Sequence, residues 1–156
     1  MLKLLLLLVS HGAVLAIGFA LGVYFLPILT EPNGPDATAL AAAAEGARYE
    51  VPLSRDVKGS DLLHWGEGTI SLSDRRIVHK GELSPGPDYK LYLVKEFVDD
   101  EAGFLAMKES AVRLGDIKTF DGFIVEVPED VSIDDYNTVL VWCEAFGEFI
   151  TAGKYR

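Results

Sequence analysis

From Leu4 to Leu29 the chain reads LLLLLVSHGAVLAIGFALGVYFLPIL, 26 residues without a charge and with Ser10 and His11 as its polar interruptions. As a helix this run spans about 39 Å, against a bilayer hydrocarbon core of about 30 Å, so it is long enough to cross a membrane with some tilt. A removable signal sequence has a shorter apolar stretch ending near a small-residue cleavage site. Here the nearest Ala-x-Ala, Ala37 to Ala39, lies well beyond the apolar run. An uncleaved anchor is the better reading, and no cysteine near this end offers a lipid attachment point. Lys3 and the amino terminus precede the span while Glu31 and Asp36 follow it, so the positive-inside bias places the N-terminus in the cytoplasm. The expectation is a single-pass protein of a bacterial inner (plasma) membrane that meets the lipid bilayer through residues 4–29 and holds its C-terminal domain in the periplasm or outside the cell. Gly18 and Gly22 have the spacing of a helix-packing pair, which glycine-rich membrane helices also show by chance. His11 lies close enough to the cytoplasmic end to reach the interface.

Residues 1–29 therefore form the anchor, residues 30–47 a linker and residues 48–156 a single domain of modest core. The linker, TEPNGPDATALAAAAEGA, joins Pro32, Gly34 and Pro35 to an alanine tract fit for a helical turn or two. All 24 acidic residues lie from Glu31 onward against 13 of the 14 bases, a formal charge of −11. Nucleic acid is a poor partner for such a surface, whereas cations, metal ions included, are drawn to it. One cysteine excludes a disulfide within the chain and a Cys-only zinc site, and His11, His64 and His79 contain no close ligand pair. Any metal centre must draw on distant parts of the chain.

From Arg48 onward, short apolar runs alternate with Gly, Pro, Asp and Ser, a β pattern. GTISLS sets Ile70 and Leu72 on one face, and RIVHKG follows a turn at Ser73 and Asp74. SPGPDYKLYLVKEF puts a Pro-Gly turn before a strand with Tyr89, Leu91 and Leu93 on one face and Lys90, Tyr92 and Val94 on the other. GFLAMKESAVRL predicts a helical turn and then a strand around Val112 to Leu114. FIVEV alternates until Pro128. Asn137 to Glu144 is the most apolar strand: Thr138, Leu140 and Trp142 face one way and Val139, Val141 and Cys143 the other, so it belongs in the centre of a sheet. EFITAGKYR is a final strand with Phe149 and Thr151 on one face. The fold class is all-β, an antiparallel sandwich or small barrel of about seven strands, behind one transmembrane helix.

Three segments together resemble a known family, the DM-thirteen domain, found beside DOMON modules in Skeletor-like animal proteins and alone in bacterial exported proteins. They are HWGEGTISL, with its His-x-x-x-Gly opening at His64 and Gly68; SPGPDYKLYL; and YNTVLVWCEAFGEFITAG. They cover the chain from near Gly59 to its C-terminus. The resemblance implies an extracytoplasmic β-domain in electron transfer, with Cys143 as redox centre, either as a bare thiol or as a ligand to a group such as haem; the residues leave copper open as well. It implies an accessory redox or binding module rather than a stand-alone catalyst. The chain has neither a DOMON module nor a multi-helix cytochrome module, so its electron partner is a separate redox protein.

The residues themselves weigh as follows. As a nucleophile Cys143 is poorly placed, because Glu144 and Glu148 are near in sequence, no Lys or Arg lies between Asp121 and Thr151, and the strand is apolar; all of these raise a thiol pKa. As a ligand it suffers no such penalty, since a metal stabilises its own thiolate. His64, His79 and Met107 are the candidate co-ligands, and no CxxCH attachment motif is present. The plain alternative is a small buried hydrophobe in a non-enzymatic binding or structural domain. Asp88 after Pro87 reads as a turn residue bonding backbone amides, with a ligand role second. Trp142, Phe146, Phe149 and Tyr136 read as core aromatics before they read as the wall of a haem site. The acidic run from Glu129 to Asp135 lacks the DxDxDG order of a calcium loop.

Overall fold

A computed structural model describes the whole chain, Met1–Arg156. Its first element, α1 (Leu2–Leu29), is one continuous helix none of whose side chains is buried, and it is long and apolar enough to cross a membrane. Pro27 sits in its last turn and Thr30 ends it, the Thr30 hydroxyl donating to the Leu26 carbonyl at 2.8 Å. The alanine tract forms the expected short helix, α2 (Ala37–Ala44), opened by Asp36, whose carboxylate accepts the Ala39 amide at 2.8 Å. The segment after α1 lies against the domain: Leu40 and Ala43 are buried on Val78, and the Glu31 carboxylate accepts the Phe120 amide at 2.7 Å.

Eight strands follow: β1 (Tyr49–Leu53), β2 (Gly66–Leu72), β3 (Arg76–Leu83), β4 (Tyr89–Val94), β5 (Val112–Ile117), β6 (Phe123–Glu126), β7 (Thr138–Cys143) and β8 (Glu148–Lys154). They pair antiparallel in two sheets, β1-β2-β3-β6 and β5-β4-β7-β8, so the all-β expectation resolves into a sandwich. The strand that pattern reading leaves out is β1. It contains Pro52, which a central strand excludes, but β1 is an edge strand, where the missing N–H costs no ladder bond.

The alternation read along β4 and β7 holds. Tyr89, Leu91 and Leu93 join Val139, Val141 and Cys143 on the inner face, packed on Ile70, Leu72 and Ile77 of the other sheet. Tyr92, Val94, Leu140 and Trp142 face outward and are covered by Phe104 of α3 (Glu101–Met107). Each sheet thus carries a helix on its outer face, α2 on the first and α3 on the second, which is why β4 and β7 are buried along their whole length. The predicted common face of Phe149 and Thr151 is corrected. A bulge makes Val141 pair with Thr151 but Trp142 with Phe149, leaving Ile150 as the extra residue. Phe149 therefore joins the outer cluster, while Thr151 turns inward against Gly66.

Candidate functional site

Cys143 is the last residue of β7, opposite Tyr89, the first of β4. The sandwich ends here, and three loops close over it: Asp61 to Trp65 before β2, Ser84 to Asp88 before β4, and Glu144 to Gly147 between β7 and β8. The thiol is almost sealed, at 2 % exposure, yet it borders a cavity of about 270 Å³ together with Tyr89, His64 and Phe146. Phe19, Val23 and Tyr24 of α1 form the opposite wall. α1 and the candidate site therefore share one crevice.

Burial pushes the Cys143 thiol up, and the backbone amides of Phe146, Ala145 and Asp88 act in the opposite direction without cancelling it. The thiol stays protonated near neutral pH, which removes it as an unassisted nucleophile. Glu144 next to it is no neighbour of the sulfur. Burial opposes its ionisation, but Lys108 at 2.6 Å and the Tyr92 hydroxyl outweigh that and hold the carboxyl below its usual range.

His64 is oriented by its own loop. Asp61 accepts the backbone amides of Leu63 and His64, each at 2.7 Å, and its second oxygen meets His64 Nδ1 at 3.2 Å. Burial opposes ionisation of Asp61, and the two amides with the imidazole still hold its pKa low. A carboxylate on Nδ1 leaves Nε2 for a ligand, as in metal-binding carboxylate–histidine pairs. The Asp-x-x-His spacing carried this signal in the sequence; the share of Tyr89 and Phe146 in the cavity did not show there. Tyr89 lies flat on the Gly86 backbone, where a Cβ would come within 2.3 Å of its ring, and its hydroxyl is 3.4 Å from Ser84 Oγ. Burial pushes the Tyr89 phenol up.

The other sequence candidates lie elsewhere. The Asp88 carboxylate pairs with Lys90 at 2.5 Å instead of the turn amides, while the Asp88 carbonyl accepts the Glu144 amide at 2.9 Å and pins the two loops together. Trp142 is fully buried on the outer face, 4.8 Å from the Phe104 ring, with the sheet between it and the cavity. Met107 packs in the same outer cluster. His79 is fully buried on the other sheet, its Nε2 3.0 Å from the Glu67 carbonyl, its ring 5.1 Å from Phe123 and its Nδ1 unpaired. It holds no place in the cavity.

Burial lowers the His79 pKa below its ordinary 6.5. The unfolded chain takes up a proton there before the folded one does, so this residue's contribution to stability is complete above about pH 6.5 and is lost as pH falls towards the folded value. Chemical denaturation between pH 7.5 and 5.5 is expected to show wild type losing stability more steeply than His79→Gln, by up to about 1.4 kcal/mol per pH unit. Equal slopes would show that His79 titrates in the fold as it does in the unfolded chain.

The donor set limits what the site can hold. No three His, Cys, Asp or Glu side chains come together, so a copper centre with three strong protein ligands has no place here. The cavity beside the sulfur measures about 270 Å³ and has no other cysteine, with His64 as its one histidine. One thiolate sulfur and one oriented imidazole nitrogen on a common cavity do suit a soft ion that accepts two protein ligands, such as monovalent copper.

Compared with known proteins, residues 59–155, more than half of the chain, match the family model described as Electron transfer DM13. No curated protein matches the chain, and no solved structure does.

Proposed function

We propose that the chain, which belongs to the Electron transfer DM13 family, is a membrane-anchored extracytoplasmic electron-transfer module whose centre is Cys143, with His64 beside it. The observation that carries this reading is that the one cysteine, although buried, borders a cavity also bordered by an imidazole already oriented by a carboxylate. A purely structural cysteine has no need of either neighbour. Cys143 and His64 would hold one copper ion, Asp61 fixing the imidazole and Phe146, Tyr89 and α1 excluding water. Such an ion, when bound, supplies a one-electron couple. Lys3 before α1 and the acidic domain after it support an orientation with that domain outside. The domain spans residues 48–156, the anchor residues 1–29.

The test is binding of monovalent copper by the full chain in detergent, followed by ultraviolet absorption and, after oxidation, electron paramagnetic resonance. Wild type is expected to bind one equivalent with a sulfur-to-copper band, Cys143→Ala to lose the band, and His64→Ala to weaken binding tenfold or more. A band that survives Cys143→Ala, or no cysteine-dependent signal with copper, haem or a thiol redox titration, overturns the reading.

A second reading has one observation in its favour: the sulfur packs with Val141 and Tyr89 in the main core. If packing were its whole role, Cys143→Ala would cost about 1–2 kcal/mol and leave electron transfer intact.

A further inference from the structure

We propose that the crevice between α1 and the site loops binds a lipid-soluble quinone or quinol drawn from the bilayer, its ring towards His64 and Cys143. This deepens the electron-transfer reading by assigning a partner class, and rests on it for purpose but not for geometry.

Beside the Cys143 cavity lies a second of about 480 Å³, walled by Phe19, Gly22, Val23 and Leu26 of α1 and by Pro87 and Phe146 of the domain. Phe19, Val23, Pro87 and Phe146 border both cavities, so the two are one crevice with an apolar mouth and His64 and Cys143 at its inner end. Its depth in the membrane follows from helix rise. With Lys3 at the inner surface, about 20 residues cross the 30 Å hydrocarbon core, which brings Val23 and Tyr24 to the outer edge. Tyr24 suits that level, where amphipathic aromatics collect. The mouth of the crevice thus opens at the hydrocarbon boundary, and what enters it comes from lipid.

The domain is built to sit there. The formal −11 of the chain from Glu31 onward works against approach to an anionic lipid surface, yet the end that faces α1 exposes Leu62 at 95 %, Leu63 at 58 % and Phe146 at 53 %. These apolar side chains have water as their alternative and the bilayer interface as a better one.

The shape and polarity choose the occupant. A phospholipid would have to bring a charged headgroup into an apolar slot. A prenylated quinol has a flat neutral ring for the apolar crevice and a tail that lies along Gly22 into lipid. It is also an electron carrier that the bilayer itself dissolves. The proposal is one of binding, and no transfer step is assigned.

Gly22 provides the test, because a Cβ there meets open space and a larger side chain fills the crevice without disturbing the helix. The full chain in phosphatidylcholine nanodiscs is illuminated with a photoreactive azidoquinone carrying a prenyl tail, and labelled peptides are read by mass spectrometry. Label is expected within residues 19–30 and 144–147, competed by unlabelled quinone and reduced at least fivefold in Gly22→Leu. Gly12→Leu, equally unobstructed but deeper in the membrane, should leave labelling unchanged. Labelling that ignores the competitor or is the same in both variants overturns the proposal, and equal competition by phosphatidylcholine of matched tail length assigns the crevice to ordinary lipid. Cys143→Ala should keep its label. Label without any cysteine-dependent redox signal would retain the quinone site and remove the redox centre; the signal without label would do the reverse.

Discussion

Gly68→Ala is expected to unfold most of the domain population at room temperature, at a cost above about 4 kcal/mol, seen as loss of the cooperative thermal transition in near-ultraviolet circular dichroism. Gly68 and Gly81 face each other across β2 and β3. Gly68 has φ +117°, a conformation that side chains disfavour, and a Cβ there would lie 2.2 Å from the Lys80 carbonyl oxygen. On the other side, a Cβ at Gly81 would lie 2.0 Å from the Glu67 carbonyl. Both obstacles are backbone, so no rotamer change relieves them, and relief requires the hairpin to separate. The damage would reach the site, since β2 continues directly from the His64–Trp65 loop and the Glu67 carbonyl holds His79. Gly115→Ala is the control: its Cβ meets one side-chain methyl, Val125 Cγ1 at 3.1 Å, and its cost should be a fraction of the other. A Gly68→Ala domain within 1 kcal/mol of wild type would mean that the two strands do not approach in this register.

Trp142→Ala comes second, with an expected loss of about 3–5 kcal/mol by chemical denaturation. The indole is fully buried between β7 and α3, tilted against Phe104, with the Lys108 ammonium 5.2 Å above its ring. Removing it empties the outer cluster and frees α3, whose hold on the sheet is Phe104. Its Nε1 has no partner, so Trp142→Phe forfeits volume but no hydrogen bond and should cost about 1–2 kcal/mol. Because Trp142 and Cys143 face opposite sides of the sheet, protein kept folded at low temperature should bind copper as wild type does. Loss of copper binding in folded Trp142→Ala would place the indole in the site after all.

The parts of the fold that pattern reading recovers are those where one physical rule acts alone. Alternation along Tyr89–Val94 and Thr138–Cys143 assigns faces because both strands are covered on both sides and regular there. It fails at Phe149 and Thr151, where a bulge shifts the period by one residue, and at Tyr49–Leu53, where Pro52 hides a strand whose edge position makes proline harmless. The site is legible to a lesser degree. Cys143 is singled out by being alone, and His64 by the His-x-x-x-Gly opening of the family resemblance, but Tyr89 and Phe146 read as ordinary core aromatics until the cavity places them. His79, Met107 and Trp142 share their chemistry with the true neighbours of the sulfur but lie on another sheet or another face.

What the sequence alone determines is that this chain carries a helix able to cross a membrane, a β-domain and a single thiol in its most apolar strand, because length, charge and side-chain period are local quantities. Which histidine shares a cavity with that thiol, and that α1 borders it too, depends on how β4 and β7 end beside three loops and α1. Those contacts join residues 19, 64, 89, 143 and 146, and only the packing of two sheets brings positions so far apart to one place.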